Sequence, residues 1–364
     1  MTDSSIILSA KDLQVTRGGT LVLDVPDFSL GEGEILSLIG PNGAGKTTLL
    51  QALALLLKRS RGDVYFKGEK VTPSHSALQY RRRLAMVFQE ALLFDTTVFD
   101  NVASGLKIRG LPRVEIQKVV QKNLERFGIA HLIQRSARKI SGGEAQRVAL
   151  ARAFATQPEI IFLDEPLSAL DPPTRESLVE DLSQVLRDTR TTTVFATHDR
   201  MEALRLSDRI AVMHEGKIRQ IGPPWDVMNH PADVFVANFV GIETILSGNV
   251  TQSGKGTFIA SVMGKEIEAV GEAKAGESVV LCIRPENVTL AEIPFQGSTS
   301  ARNVFLGKIT KILPLGLYYK IELDCGFPLV SYITNQSIEK LSLKEGKDLA
   351  ASFKATAIHV VRKR

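Results

Sequence analysis

The stretch Gly40-Pro41-Asn42-Gly43-Ala44-Gly45-Lys46-Thr47-Thr48 decides how the rest of the chain is read. Before it stands Ile35-Leu36-Ser37-Leu38-Ile39, a short apolar run of the kind carried by a strand buried on both faces. After it, Leu49 to Leu57 is mostly Leu and Ala, which predicts a helix. Strand, glycine loop and helix are the context that makes G-x-x-x-x-G-K-[ST] a phosphate-binding loop. The glycines let successive backbone N–H groups turn inward around phosphate oxygens, at the positive end of the following helix. In that arrangement Lys46 reaches the β- and γ-phosphates, and the Thr47 hydroxyl holds Mg²⁺. The stretch implies a bound nucleoside triphosphate.

On the N-terminal side, residues 6–30 alternate and break at Gly18-Gly19, which predicts an antiparallel strand pair. On the C-terminal side, Gly62 to Lys70 reads as a short strand and a turn. From about Glu90 to Ile140 the pattern is helical, with Val114, Ile116, Val119, Val120, Leu124 and Phe127 recurring at helix spacing. Glu159-Ile160-Ile161-Phe162-Leu163 is a second apolar strand, ending at Asp164-Glu165-Pro166. Pro172-Pro173 opens a helix whose Leu178, Val179, Leu182, Val185 and Leu186 form one stripe. Thr191 to Ala196 is a β-branched strand ending at Thr197-His198-Asp199. Strands alternating with helices predict an α/β fold with a mainly parallel sheet and ligand groups at the strand ends.

Those strand ends carry chemistry. Asp164 is placed to hold Mg²⁺ through water, and Glu165 is the candidate to polarise an attacking water. Ser141-Gly142-Gly143-Glu144 precedes a helical run to Ala155, so it forms a second anion site at a helix N-terminus. His198 ends one strand on the γ-phosphate side, and Gln89 ends the strand Leu84 to Phe88.

At 364 residues the chain exceeds what one core usually fills, so two domains are expected. The texture changes near Gly241 from alternating strands and helices to short strands with frequent glycines. The expected domains are therefore 1–240 and 241–364. Within the second, Gly248-Asn249-Val250-Thr251 echoes Gly307-Lys308-Ile309-Thr310. Gly276 through Arg284 to Leu290 likewise echoes Gly346 through Lys354 to Val360, which predicts a duplicated small β-barrel. The net charge of +5 is small for the length, and no basic tract exceeds Arg81-Arg82-Arg83 or Arg362-Lys363-Arg364. Extended nucleic-acid binding is not expected. Cys282 and Cys325 are far apart and lack metal-type spacing, which fits a reducing compartment without a structural disulfide. The N-terminus shows no secretion signal, and the longest apolar helical run is about half of a membrane span. A cytoplasmic protein is expected, with any membrane role carried by a partner.

Gly40 to Thr48, Gln89, Ile140 to Arg147, Ile161 to Pro166, Ser168-Ala169-Leu170-Asp171 and His198 stand in an order and spacing that resemble the ATP-binding-cassette (ABC) ATPases. The resemblance covers about residues 6–240. It implies a P-loop ABC ATPase domain with a helical subdomain, using ATP and Mg²⁺. It also implies a head-to-tail homodimer, with ATP between Lys46, Gln89, Asp164, Glu165 and His198 of one copy and Ser141 to Gly143 of the other. Asp171 crosses the interface, and Gln89 joins Thr47 and Asp164 around Mg²⁺. Two departures stand out. The signature reads Ile140 to Glu144, where the family more often begins with Leu and ends with Gln. Arg17 occupies the place of an adenine-stacking aromatic, and a guanidinium also stacks on a flat π-face.

The second domain resembles the regulatory tail of importer ATPases, an all-β tail of small OB-like barrels. Ser300-Ala301-Arg302-Asn303, Ile333 to Ser337 and Lys354-Ala355-Thr356 are similar to a molybdate-binding barrel. The resemblance implies Ser300, Arg302, Thr334, Ser337 and Lys354 as ligands of a tetrahedral oxyanion, through hydroxyl donors and balancing cations. It implies an importer of molybdate or tungstate with separate membrane permease subunits and, indirectly, an extracytoplasmic substrate-binding protein. Such a subunit lies on the cytoplasmic face of the membrane. The alternative is an importer of sulfate, ferric iron or a sugar, whose tail is purely structural. A soluble ABC ATPase acting on nucleic acid needs basic-aromatic surfaces that the tail lacks.

Overall fold

The computed structural model describes residues 5–72, 77–293 and 299–362, so Lys363 and Arg364 of the terminal basic run lie outside it. Strands β1 (Ile6–Arg17) and β2 (Thr20–Gly31) form the expected antiparallel pair. Strand β3 (Ile35–Ile39) leads through the glycine loop into α1 (Lys46–Leu53). The helix stops short of Leu57. Leu55 adopts φ +56, and the Leu56 and Leu57 amides turn back onto Gln51 O, so the apolar run outlasts the helical one. Strands β4 (Arg61–Phe66) and β5 (Glu69–Lys70) complete a four-stranded sheet in the order β2-β1-β4-β5.

A short helix α2 (Ala77–Arg82) precedes β6 (Leu84–Val87). Three helices follow: α3 (Val98–Ile108), α4 (Arg113–Arg126) and α5 (Gly142–Ala155). On α4 the buried face is Ile116, Val120 and Leu124; Val114, expected on that face, is exposed at the first turn. Next come β7 (Ile160–Asp164), α6 (Pro172–Thr189), β8 (Thr192–Thr197), α7 (Arg200–Leu206), β9 (Arg209–His214) and β10 (Lys217–Gly222). The buried stripe of α6 is Leu178, Val179, Leu182, Val185 and Leu186, as its spacing predicts. A six-stranded sheet runs β10-β9-β3-β8-β7-β6, parallel except for β10. On β7, Ile161 and Leu163 face the core shared with α3 to α6, and Ile160 and Phe162 face the core shared with α1 and β1. Burial on both faces is why this strand reads as an unbroken apolar run.

The chain divides into two compact units, Met1–Pro224 and Trp225–Arg364, ahead of the expected break at Gly241. Helix α8 (Pro224–Asn229) and the link from it to α9 (Val234–Phe239) bond to the β-rich unit. Arg284 donates to Met228 O, and His359 Nε2 donates to Pro231 O at 2.9 Å.

The second unit contains β11 (Thr244–Ser253), β12 (Thr257–Val262), β13 (Lys265–Val270), β14 (Ser278–Ile283), β15 (Thr289–Ala291), β16 (Asn303–Pro314), β17 (Tyr318–Asp324) and β18 (Pro328–Thr334). A short α10 (Asn335–Lys340), β19 (Asp348–Phe353) and β20 (Ile358–Arg362) follow. The strands make two five-stranded antiparallel sheets, β13-β12-β11-β14-β20 and β15-β19-β16-β17-β18, around one apolar core. The duplication seen in sequence is present in the bonding. Gly276 and Gly346 both have positive φ and donate to Val250 O and Ile309 O, at 2.8 Å each. Each repeat gives its last strand to the other: β15 pairs with β19, and β20 pairs with β14. Cys282 and Cys325 are buried free thiols, and burial pushes them up to about 12 and about 11. Among the described residues no helix is long and apolar enough to cross a membrane.

Candidate functional site

The glycine loop lies at the carboxyl end of β3, beside the ends of β7 and β8, where a parallel sheet presents ligands. Gly40 packs so closely that a Cβ would stand 2.3 Å from Met213 O, so no other residue fits there without moving backbone. Lys46 is 4% exposed and donates to Gly40 O at 2.9 Å and Pro41 O at 3.3 Å. Its ammonium also meets Glu165 Oε1 at 3.2 Å. Glu165 sits just past β7 at φ +46, a backbone conformation uncommon for non-glycine residues. Its amide donates to Ala196 O, which ties the end of β7 to β8. Glu165 Oε2 lies 3.0 Å from His198 Nδ1. Lys46, Glu165 and His198 therefore form one chain of polar contacts.

Thr47 Oγ1 donates to Asp164 Oδ1 at 2.9 Å. Burial raises Asp164 above the usual carboxylate range, with the Thr47 hydrogen bond acting against it. A hydroxyl and a carboxylate side by side are hard oxygen donors. They fit Mg²⁺, which takes few protein ligands and completes its shell with phosphate and water. A cleft of ≈ 600 Å³ opens over these groups, walled by Arg17, Asn42 to Thr48, Gln89, Glu165, Ser168 and His198. Of the residues expected from sequence on the ATP side, Arg17, Asn42 to Thr48, Gln89, Glu165 and His198 line it, while Gly40, Pro41 and Asp164 meet it through their bonds to Lys46 and Thr47.

The Ser141 end is elsewhere on the surface. Ser141 caps α5: its Oγ accepts from Glu144 N at 3.3 Å, and Glu144 Oε2 accepts from Ser141 N at 2.7 Å. The Glu144 carboxyl is held below its ordinary range, chiefly by that backbone bond. This reciprocal box explains how an acid in place of the family's Gln serves the loop's shape. Gly143 faces Thr174 so closely that a Cβ would meet its Cγ2 at 2.6 Å. Asp171 caps α6 through Thr174 N at 3.2 Å and lines the same second cleft as Ser141 to Gly143. The two clefts share no lining residue.

Sequence reasoning passed over several residues that tie these parts together. Gln146 Nε2 reaches Phe88 O at 3.5 Å, connecting α5 to the Gln89 segment. Arg147 bonds Phe127 O at 2.8 Å, Ser177 Oγ at 3.0 Å and the Asp181 carboxylate, clamping α5 to α6. Ser168 donates to Glu165 O at 3.0 Å and walls the nucleotide cleft. All lie within or beside the recognised motifs, but their roles are tertiary. A third cleft of ≈ 800 Å³ is lined by Phe88, Leu92, Phe94, Ile108, Arg109 and Arg152, among others. Leu92 and Phe94 are exposed, whereas Leu93 is half-buried against the core.

The five expected oxyanion ligands are not gathered in one place. Arg302 and Lys354 flank the Asn303↔Phe353 pair at one end of β16, with Ser300 just upstream. Thr334 caps α10 by accepting from the Ser337 amide, beyond the β17–β18 pair Tyr318↔Thr334, near the opposite end of β16. Their hydroxyls bond each other at 3.1 Å. The two groups stand toward opposite ends of β16.

The ABC transporter family profile matches residues 23–168, and the TOBE domain profile matches residues 299–360. The chain is 38% identical over 336 residues to the molybdate/tungstate import ATP-binding protein WtpC of Pyrococcus horikoshii, covering 92% of this chain and 94% of that one. It is 37% identical to the spermidine/putrescine import ATP-binding protein PotA of Trichodesmium erythraeum, covering 87% and 84% of the two chains. The corresponding PotA of Borreliella afzelii is 33% identical, over 98% and 99%. Among solved structures, cbiO1 from Clostridium perfringens, part of the ABC transporter complex cbiONQ, superposes with a TM-score of 0.58 at 30% identity. That match covers 66% of this chain and 96% of the other.

Proposed function

The chain belongs to the ATP-binding subunits of ABC import systems and is an ATPase; from that premise we propose that two copies, head to tail, hydrolyse ATP to drive oxyanion import through separate permease subunits. One observation carries the dimer: the groups for a triphosphate are divided between two clefts of one chain with no residue in common. A second copy supplies Ser141 to Gly143 to the γ-phosphate held by Lys46 of the first. Nucleotide phosphates draw Lys46 away from Glu165, which leaves that carboxylate free to take a proton from water, with His198 holding its other oxygen. Thr47 and Asp164, joined by Gln89, are the residues that would hold Mg²⁺, whose charge would offset that of the phosphates. The groove beside Gln89, with exposed Leu92 and Phe94, is where the permease docks, and the subunit works at the cytoplasmic face of the membrane.

Arg17 stacks on adenine from the rim of the cleft. Arg17→Ala should raise the half-saturation constant for ATP several-fold with little change in maximal rate, the pattern of lost uniform binding. Arg17→Tyr should restore it, and an unchanged constant in the Ala variant would make Arg17 a bystander.

The cargo we assign is molybdate or tungstate. Arg302 and Lys354 stand side by side at one end of β16 next to a serine, and the Pyrococcus relative carries that cargo in its name. A polyamine is the second reading, because the two PotA proteins match nearly as well. Uptake decides between them: cells lacking this gene should lose molybdate accumulation and keep spermidine uptake. With purified transporter, molybdate should inhibit ATPase far more than equal sulfate does, and Arg302→Ala with Lys354→Ala should relieve the inhibition. Loss of spermidine uptake instead would assign the polyamine.

A further inference from the structure

A cleft of ≈ 380 Å³ opens at the amino ends of β7 and β8, where Pro158 and Thr191 lead into the two strands. The nucleotide cleft lies at their carboxyl ends and shares no lining residue with it. Helix α4 gives one wall. Val119, Lys122, Asn123 and Arg126 stand at i, i+3, i+4 and i+7, which is one face of a helix. Asn123 is the least exposed polar residue of the lining, at 3%. Its Nδ2 donates to Val119 O at 2.8 Å, and because a carbonyl only accepts, that bond fixes which way the amide is turned. Its Oδ1 is left buried with no hydrogen-bond partner among the described residues. A buried acceptor without a donor is rare in a folded chain and calls for one from outside it. Lys122 and Arg126 meet no carboxylate among the described residues. On the α6 side, Asp188 Oδ1 accepts from Gln184 Nε2 at 2.9 Å, and Asp188 meets no cation among the described residues. Phe154 and Pro158, both buried, add apolar surface.

We propose that this cleft binds a small zwitterion of the α-amino-acid class with an apolar side chain. Its carboxylate pairs with Lys122 and Arg126, and its ammonium donates to Asn123 Oδ1 on the Asp188 side. Its side chain lies on Val119, Phe154 and Pro158. A simple anion would meet the two cations but would set its charge beside Asp188 and leave Asn123 Oδ1 unpaired. A simple cation would satisfy Oδ1 but would face Lys122 and Arg126. Each wrong ligand thus meets a repulsive group as well as lacking an attractive one, and a ligand carrying both charges meets neither. No residue assigned to ATP, Mg²⁺ or the cargo takes part, so the site is additional to the ATPase and independent of the transport reading.

Isothermal titration of the full chain with L-leucine and with L-phenylalanine is the test, and at least one of them should bind saturably. The two halves of leucine are the controls: isocaproate lacks the ammonium, and isoamylamine lacks the carboxylate. Each should bind about tenfold more weakly or worse, the cost of one charge-assisted hydrogen bond. Lys122→Gln combined with Arg126→Gln should weaken the amino acid by a similar factor, and so should Asn123→Leu, which removes the acceptor. A non-hydrolysable ATP analogue should bind every variant within about twofold of wild type, which reports folding and the separateness of the two clefts. Where Asn123→Leu does not fold, the Lys122 and Arg126 pair and Asp188→Asn carry the test, since Lys122 and Asp188 are exposed. No saturable binding of either amino acid at millimolar concentration would overturn the site. Isocaproate or isoamylamine binding as tightly as leucine would overturn the zwitterion. Unchanged affinity in the Lys122→Gln, Arg126→Gln variant would do the same for the carboxylate wall, and in Asn123→Leu for the ammonium's place.

Discussion

Glu165→Gln should bind ATP as the wild type does and turn it over roughly 10²–10⁴-fold more slowly, the range for a lost general base. The side chain is already in place. One carboxylate oxygen is 3.2 Å from Lys46 Nζ and the other 3.0 Å from His198 Nδ1. Glutamine has the same reach and keeps an oxygen for either contact, so the loop geometry and nucleotide affinity should survive. What it cannot do is accept the proton of the attacking water. The closed pair of copies then opens slowly, because opening follows hydrolysis, and the variant should run as an ATP-bound dimer on size exclusion. Near-normal turnover would remove Glu165 from that role.

Lys46→Ala should lose nucleotide binding. The ammonium is buried and held by two carbonyls and a carboxylate, so it is presented to the phosphates with little freedom left to lose. Two charge-assisted bonds to phosphate oxygens at about 1.5–3 kcal/mol each amount to an affinity loss on the order of 10²-fold or more. The alanine variant also leaves the partly buried Glu165 without its cation, which adds an opposing negative charge to the phosphate side. Titration with a fluorescent ATP analogue measures the loss. Affinity within a few-fold of wild type would mean that Lys46 only braces the loop through Gly40 and Pro41.

The nucleotide cleft was legible in sequence because each of its parts is local. A glycine loop between an apolar strand and a helix, and acids or a histidine at strand ends, follow from short patterns whose spacing survives folding. The α6 stripe was equally plain, since burial repeats at the helix period. The misses were tertiary. Leu55 to Leu57 are apolar without being helical, because Leu55 turns left-handed and the chain doubles back to Gln51. Helices α8 and α9 precede the change of texture at Gly241, and the bonds of Met228 O and Pro231 O to Arg284 and His359, which lie inside the second compact unit, depend on tertiary contacts. The tail ligands could be named one by one, but their separation along β16 depends on strand pairing that no local pattern encodes.

The account's central claim is that one ATP is handled by two copies of this chain, and mixing two inactive variants tests it most directly. Lys46→Ala spoils the first cleft and leaves Ser141 to Gly143 intact. Ser141→Arg blocks the second cleft and leaves Lys46, Asp164 and Glu165 intact. Each protein alone should have no ATPase activity above background. In a head-to-tail pair of one copy of each, one site joins two damaged halves and the other joins two sound ones. The mixture should therefore recover a fraction of wild-type turnover that peaks near equal concentrations. Full activity of Ser141→Arg by itself, or a mixture as inactive as its components at every ratio, would contradict the composite site.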